Sequence, residues 1–390
     1  MGIKKLFSFI DLNKLYKVYP LLDELIYDIG LDKEKMLIGV DGCLFYYKYS
    51  HSYDNVLIGF FNQILKFLSH KIIPLYIFDG GTIKEKKHTN NIRNKKKIYS
   101  KYKIEYIDTI LEKNNLESEE EIDLLYKKNK LEKKIIKINN EKIMLIIELL
   151  ELLNIPYIFS FGEGEYLATL LNKYNIIDMF LSDDTDPIPA GINKIIKFYN
   201  NNVYYLDIND IYKNFKINHT QLIDFCILLG TDYFYYNINL SPSQILELII
   251  EYKTIENIIT ILDIKDYDIK IINSIRNIYN LSPDIEKSLF LNPENQILSN
   301  FNTIINHNDL NYYSNIMLEF WEELLEILKL DDDYNKKSLL FKKNIIDFIK
   351  SKKINIKNTI KFLKNNVENL SDDEINNTIY SLEYLNTFGI

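Results

Sequence analysis

The chain has 390 residues, of which 47% are hydrophobic and 26% charged, and its formal net charge at pH 7 is -8. This composition provides for a buried core and excludes an intrinsically disordered chain. A pI near 5.4 argues against a protein that coats nucleic acid indiscriminately, because neutralising phosphates requires a basic surface. Cys43 and Cys226 are the two cysteines, too few for a disulfide framework or a four-ligand zinc site.

The N-terminal segment shows no export signal and no lipid anchor. Residues 1–6 lack an apolar signal core, and Leu6 stands where a myristoylation motif requires Ser or Thr. The apolar stretch 143–155 is interrupted by Glu148 and Glu151, well short of the ~18 apolar residues that span a membrane. We therefore expect a soluble, intracellular protein without membrane association.

Short apolar runs that end at a carboxylate recur in the first half of the chain and predict buried strands. Helical patterns, such as residues 56–69, 142–153 and 165–174, lie between these runs. The alternation predicts an α/β fold with a mostly parallel sheet flanked by helices. The runs are 36–40 before Asp41, 75–78 before Asp79, 156–160 before Glu163 and Glu165, and 179–182 before Asp183 and Asp184.

The remaining segments predict a hairpin, an insertion and a helical region. Residues 194–199 and 203–206, joined by three asparagines, predict a hairpin near the sheet edge, and helix 220–229 is expected to stop at Gly230. The charged segment 84–140 predicts a helical insertion, and residues 84–103 contain nine Lys or Arg but one acid. We expect a core over residues 1–235, which includes this insertion, and a second region over 236–390, with helices 242–252, 254–262 and 317–330.

The acids at the strand ends form a candidate metal site. Open α/β sheets bind ligands outside the carboxyl ends of their strands, and carboxylates crowded there repel one another unless cations neutralise them. A single such acid is more simply a turn residue or helix cap, but a set of them favours a site. Oxygen ligands without a His or Cys cluster select Mg²⁺ or Mn²⁺. The set comprises Asp41, Asp79, Glu163, Glu165, Asp184, Asp186 and Asp232.

This ligand set favours phosphodiester hydrolysis. Two ions ~4 Å apart activate a water and stabilise the leaving oxygen of an in-line displacement at phosphorus. A dinucleotide loop at Gly162 is excluded, because Leu167 replaces the third glycine and two glutamates would repel a pyrophosphate. A haloacid-dehalogenase-type phosphatase start at residues 184–186 stays open as a weaker alternative, since Ile188 departs from its usual Thr or Val.

At these residues the chain resembles the flap endonuclease and XPG family of structure-specific 5′ nucleases, over about residues 1–260. Among the branches of this family, the divergent sequence of this chain most resembles the poxvirus flap-endonuclease-like proteins. The resemblance implies a PIN-like nuclease core with a helical arch. The motifs that carry it, in the family's order, are Met1-Gly2-Ile3, Val40-Asp41-Gly42, Phe78-Asp79-Gly80, Gly162-Glu163-Gly164-Glu165-Tyr166, Asp183-Asp184-Thr185-Asp186 and Leu228-Leu229-Gly230-Thr231-Asp232-Tyr233.

The resemblance also implies roles for individual residues. The seven acids would coordinate two Mg²⁺ ions, with Mn²⁺ able to substitute. Lys86 and Arg93, seven residues apart and on one face of a helix, would contact the scissile phosphate, although a solvated basic helix explains Lys86 nearly as well. Tyr47 would stack on the nucleotide beside the cut, although core packing is the simpler explanation for one ring. Further DNA contacts are expected from Gly2, Lys84, Lys87, Lys95, Lys96 and Lys97.

The chain departs from the family pattern in two places. The family's Gly-hydrophobic-Gly-Pro turn, which grips duplex DNA, is replaced by Asn239-Leu240-Ser241-Pro242. Loss of both glycines predicts a weaker approach of the backbone to the duplex. Residues 381–390 contain nothing similar to a sliding-clamp motif, so coupling to a clamp is not expected.

The sequence thus predicts a Mg²⁺-dependent nuclease that cuts branched or flapped DNA at single-strand to double-strand junctions during replication, recombination or repair. Two alternatives remain: a non-catalytic junction-binding recombination scaffold and a PIN-type ribonuclease. The poxvirus resemblance implies viral replication or recombination proteins as partners and the host cytoplasm as the location.

Overall fold

The computed structural model describes residues 2–53, 55–80, 86–112, 118–136, 138–160, 162–233, 239–263, 268–281, 334–368 and 370–387. The strands described in these ranges form one sheet in the order β1-β7-β6-β5-β2-β3-β4. Their bounds are β1 Lys17–Tyr19, β2 Leu37–Asp41, β3 Ile73–Phe78, β4 Tyr157–Phe159, β5 Met179–Leu181, β6 Lys194–Tyr199 and β7 Asn202–Asp207.

The centre of the sheet is parallel. Strands β4, β3, β2, β5 and β6 run in one direction. At one edge β7 runs antiparallel to β6, and β1 pairs antiparallel with β7. Every residue of β3 is buried, as expected for a strand covered on both faces. Asn200 and Asn201 have φ values of 49° and 61°, which lets a tight turn join β6 to β7. The predicted α/β fold with a mostly parallel sheet is confirmed.

Helices cover both faces of the sheet. They are α1 Leu6–Leu12, α2 Leu22–Asp28, α3 Gly42–Ser52, α4 Val56–Ser69, α5 Lys87–Leu111, α6 Ser118–Ile135, α7 Asn140–Leu152, α8 Gly164–Lys173, α9 Ile208–Phe215, α10 His219–Leu229, α11 Pro242–Tyr252, α12 Ile255–Ile261, α13 Ile269–Tyr279, α14 Tyr334–Ser351, α15 Ile356–Asn366 and α16 Asp372–Thr387. The insertion is therefore helical where it is described: α5 and α6 pack against each other, and Lys128 pairs with Asp108 at 2.5 Å.

Two apolar cores lie on opposite sides of the sheet. Residues of α8 and α10 fill one core together with α11 to α14, and residues of α3, α4 and α7 fill the other together with α15 and α16. Lys342 of α14 donates to both oxygens of Asp178 at 2.6 Å, and Asp178 also accepts the N–H of Leu37. The helices near the C-terminus thus contribute to the same cores as the sheet.

Helix α11 begins at a capping box formed by the substituted turn. The Ser241 hydroxyl accepts the N–H of Gln244, the Gln244 side chain accepts the N–H of Ser241, and Pro242 opens the helix. These interactions satisfy donors that a helix N-terminus otherwise leaves unpaired. The predicted helix over 242–252 is confirmed, whereas the helix predicted over 317–330 lies outside the described residues.

Candidate active site

The carboxyl edge of the sheet gathers the predicted acids, starting with Asp41 at the end of β2. Its carboxylate caps α3 by accepting the N–H of Leu44 at 2.9 Å, and it accepts the hydroxyl of Ser182 at 2.9 Å. Burial, and then the nearby charge of Asp79, raise the pKa of Asp41 to about 8. A cation in contact with this carboxylate would reverse that shift by favouring its charged form.

Asp79, directly after β3, binds the segment that follows β4. Its Oδ1 accepts the N–H of Gly164 at 2.6 Å. A Cβ atom on residue 164 would lie 3.0 Å from that oxygen, closer than most such contacts, so a side chain there would require Asp79 to shift. The contact fixes the start of α8 and with it the positions of Glu163 and Glu165.

Glu165, Asp184 and Asp186 form the centre of the cluster, with one carboxylate oxygen from each within 4.8 Å of the others. Asp186 is fully buried, and neither of its oxygens has a hydrogen-bond partner among the described residues. Burial and the charge of Asp184 raise the pKa of Asp186 to about 8. A buried carboxylate without a hydrogen bond is costly, so the donor set fits a hard divalent cation.

Lys86 lies inside this cluster rather than on a solvated helix face. It is 6% exposed, and its Nζ lies 2.8 Å from Glu163 and 3.1 Å from Glu165. Burial alone would lower the pKa of Lys86, but Glu165 and Glu163 outweigh it and raise the pKa well above its usual value. The lysine therefore stays charged and neutralises part of the acidic cluster.

Arg93, two helical turns further along α5, pairs with the last predicted acid. Its guanidinium binds Asp232 at 2.5 Å, and the hydroxyl of Thr89 donates to the Asp232 carbonyl. Asp232 follows the end of α10 at Gly230, whose φ of 101° suits glycine. Lys86, directly before α5, and Thr89 and Arg93 of α5 thereby join the start of this helix to the acidic edge.

The N-terminal residues pack directly on Asp184. Gly2 has a φ of 79°, and a Cβ there would lie 2.1 Å from Asp184 Oδ1. The N–H of Ile3 donates to the hydroxyl of Thr185 at 2.8 Å, and the N–H of Lys4 donates to the Gly230 carbonyl at 3.2 Å. Gly2 thus lies against the acidic cluster, and its contact with DNA stays a prediction.

The remaining residues predicted to contact DNA differ in their exposure to solvent. Tyr47 is half-buried on α3, where its ring meets Tyr46 edge-on, and burial with the charges of Cys43 and Asp79 raises its pKa. Lys95 and Lys96 are exposed on α5, whereas Lys97 is half-buried and donates to the Ile136 carbonyl at 3.0 Å. Lys84 lies outside the described residues, and Lys87 begins α5.

Three features of the site were not predicted from the sequence. Ser182 joins Asp41 to the N–H of Asp184, Lys48 pairs with Asp183 at 2.8 Å, and the Tyr166 and Tyr233 hydroxyls form a buried hydrogen bond with each other. Ser182 directly precedes the paired aspartates, which is a weak signal. Nothing in the sequence relates Lys48 to Asp183, 135 positions later.

The sheet, the helical insertion and the acidic edge form an α/β fold with acids gathered at the carboxyl ends of its parallel strands. Residues 32–99 match the XPG N-terminal domain, and residues 154–232 match the XPG I-region. Flap endonuclease 1-B of Xenopus laevis is 29% identical over 219 residues, which are 55% of this chain and 54% of that protein. The chain spans about half the length of the curated relatives it matches. The chain is thus similar to proteins of the flap endonuclease and XPG family over these segments.

Solved structures share the fold. The catalytic core of Rad2 in complex with DNA substrate superposes with a TM-score of 0.58 at 20% identity, covering 98% of this chain and 100% of that one. Flap endonuclease-1 from Methanococcus jannaschii superposes with a TM-score of 0.55 at 17% identity, covering 92% of this chain and 95% of that one.

No helix among the described residues is long and apolar enough to cross a membrane.

Proposed function

We propose that the protein is a structure-specific DNA nuclease that hydrolyses phosphodiester bonds with the help of divalent metal ions. The observation that carries the proposal is Asp186, buried among Glu165 and Asp184 with both oxygens lacking a hydrogen-bond partner in the described chain. The Nζ of Lys86 lies 3.8 Å from Asp186 Oδ2, beyond hydrogen-bond distance, so the desolvation of this carboxylate is only partly offset. Its environment suits a cation.

Two Mg²⁺ ions are the proposed cofactor, and Mn²⁺ is expected to substitute. When bound, the ions would supply an activated water and stabilise the leaving oxygen. The proposed ligands and orienting acids are Asp41, Asp79, Glu163, Glu165, Asp184, Asp186 and Asp232.

Two cations at the start of α5, one directly before the helix and one within it, are proposed to stabilise the phosphate that is cut. Lys86 and Arg93 are each held by carboxylates of the site, so they are in place before substrate arrives. Preorganised cations beside a developing negative charge need no rearrangement during the reaction. We also propose that Gly2 and Tyr47 contact the cleaved strand, and that the arch lysines Lys84, Lys87, Lys95, Lys96 and Lys97 bind its phosphates.

The proposed substrate is branched or flapped DNA, cut at a single-strand to double-strand junction with 5′ polarity. The relatives named flap endonuclease and the Rad2 core bound to DNA substrate support this choice. Replication, recombination and repair are the processes that present such junctions. The closer resemblance to poxvirus proteins, with viral replication proteins as partners and the host cytoplasm as location, stays a prediction, as does the domain boundary near residue 235.

A panel of labelled substrates tests the proposal. A 5′-flap DNA, a 3′-flap DNA, a blunt duplex and an RNA of the flap sequence would be incubated with the full chain and Mg²⁺ or a chelator. We expect Mg²⁺-dependent cutting of the 5′-flap near its junction, leaving a 5′ phosphate and a 3′ hydroxyl. Preferential cutting of RNA would indicate a PIN-type ribonuclease. Junction binding without cutting under Mg²⁺ or Mn²⁺ would indicate a scaffold, the alternative that the altered turn at residues 239–242 favours.

A further inference from the structure

A third cation borders the acidic cluster and comes from an element other than α5. Lys48 of α3 pairs with Asp183 at 2.8 Å, and its Nζ also lies 5.0 Å from the centre of the Phe45 ring. Its side chain is 36% exposed. Lys48 is therefore held in one place and remains open to solvent.

The ion pair of Lys48 and Asp183 lies next to acids of the candidate active site. Asp183 directly precedes Asp184, and α3 starts at the carboxylate of Asp41. Ser182, on the other side of Asp183, binds Asp41. The ammonium group of Lys48 consequently lies at the end of β5, whereas Lys86 is held chiefly by Glu163 and Glu165 in the segment after β4.

The three cations share one arrangement. Lys48, Lys86 and Arg93 each contact a carboxylate at the acidic edge. A partly exposed ion pair such as Lys48 with Asp183 contributes only about 0–1 kcal/mol to the free energy of unfolding. A contribution to stability therefore does not account for the position of Lys48. A lysine ammonium has three donors, and Lys48 can keep its contact with Asp183 while donating to a second anion.

We propose that Lys48 binds a phosphate of the substrate strand on the β5 side of the site, across from the phosphate bound by Lys86 and Arg93. The inference rests on the proposed function, because it requires a polynucleotide in the site. In this proposal Lys48 helps to bind the substrate strand and to set the register of that strand in the site. Asp183 is the positioning residue that directs the ammonium group toward the strand.

The test compares Lys48→Met with Lys66→Met, both in the Asp186→Asn background to prevent cutting. Lys66 is a matched control, because it is exposed on the adjacent helix α4 and its Nζ lies 4.6 Å from an aromatic ring, that of Phe198. Affinity for 5′-flap DNA would be measured at several KCl concentrations. Losing one phosphate contact reduces the slope of log affinity against log salt by about 0.9.

We expect Lys48→Met to weaken binding several-fold and to show that smaller slope, and Lys48→Arg to restore much of both. Lys66→Met should match its parent. In the otherwise unaltered chain, Lys48→Met should raise KM more than it lowers kcat. Unchanged affinity and slope in a Lys48→Met protein, whatever its melting temperature, would overturn the inference. If the unaltered chain neither bound nor cut flap DNA, the proposed function would fail instead, so the two failures are distinguishable.

Discussion

Asp184 makes several close contacts at the site. Its Oδ1 accepts the N–H of Thr185 at 2.6 Å and that of Asp186 at 3.3 Å, and Gly2 lies directly against it. Contacts of this kind orient a metal-ligating carboxylate, and their loss typically costs about 10- to 100-fold in metal affinity or activity. At the scale of single residues, a methyl group is therefore enough to disturb the site.

Gly2→Ala should lower the cutting rate about 10- to 100-fold and raise the Mg²⁺ concentration needed for half-maximal activity. The added Cβ cannot coexist with Asp184 Oδ1 at 2.1 Å. Gly30→Ala is the control, because Gly30 also has a positive φ, 66°, but no atom lies within 4 Å of its Cβ position. A Mg²⁺ titration of both variants that gave equal activities would show that backbone strain, and not Asp184, causes the effect.

Lys86→Met should destabilise the metal-free protein and make its stability depend more strongly on Mg²⁺. Without Lys86, the buried Glu163 and Glu165 lose their compensating charge, a change that typically costs about 3–5 kcal/mol, and bound Mg²⁺ would replace it. Melting temperatures with chelator and with Mg²⁺ measure this. Lys342→Met is the control, since Lys342 is also buried against a carboxylate, Asp178, but away from the cluster. The prediction fails if Mg²⁺ raises both melting temperatures equally.

At the scale of elements, an ion-pair network joins helices α10, α12 and α13. Arg276 of α13 forms two bonds of 2.7 Å with the buried Asp224 of α10, and it also binds Glu256 of α12. Burial raises the pKa of Asp224 even though Arg276 opposes the shift. In Glu256, which is more exposed, the same arginine lowers the pKa. This network fixes the three helices beside the altered turn at residues 239–242.

Arg276→Met should lower the free energy of unfolding at pH 7 by about 3–5 kcal/mol, because it leaves a buried charge on Asp224 without a partner. The pKa of Asp224 would then rise further, so the loss should shrink as the pH falls and the carboxyl becomes protonated. Urea unfolding at pH 5 and pH 7 measures both effects. Adding Asp224→Asn should recover part of the stability at pH 7. A loss of the same size at both pH values would contradict this explanation.

The sequence predicted the elements whose pattern is strong and missed those held by distant contacts. The strands before Asp41 and Asp79 were found because buried parallel strands are continuous apolar runs, although β3 begins at Ile73, two residues before the predicted start. Strand β1 was missed, because its three residues are mostly exposed and it exists through pairing with β7. Tertiary pairing, and not local preference, forms that strand.

The same distinction applies to the candidate site. The seven acids could be named in advance, since each follows a recognisable strand, helix start or helix end. The burial of Lys86 among them could not, because nearby lysines give the segment the appearance of a solvated basic helix. Its partners Glu163 and Glu165 are 77 and 79 positions away, and only the folded chain brings these groups together.

At the scale of the whole molecule, both the acidic site and the negative net charge repel DNA, and local cations must offset that repulsion. A chain of net charge -8 repels a polyanion unless its cations are concentrated where the polyanion binds. Lys48, Lys86 and Arg93 are concentrated at the carboxyl edge, and Lys95 and Lys96 extend the basic surface along α5. Metal ions at the acidic cluster would offset most of the negative charge that these cations leave there.

Cutting of a labelled 5′-flap DNA by the full chain and by Asp186→Asn, with Mg²⁺ or with chelator, tests the central claim most directly. Asp347→Asn, an exposed position on α14, controls for loss of an aspartate elsewhere. We predict Mg²⁺-dependent cutting at the junction by the unaltered and Asp347→Asn proteins, and a loss of cutting in Asp186→Asn that exceeds its loss of binding. Full activity in Asp186→Asn, or cutting that persists in chelator, would contradict the assignment of the acidic cluster as a catalytic metal site.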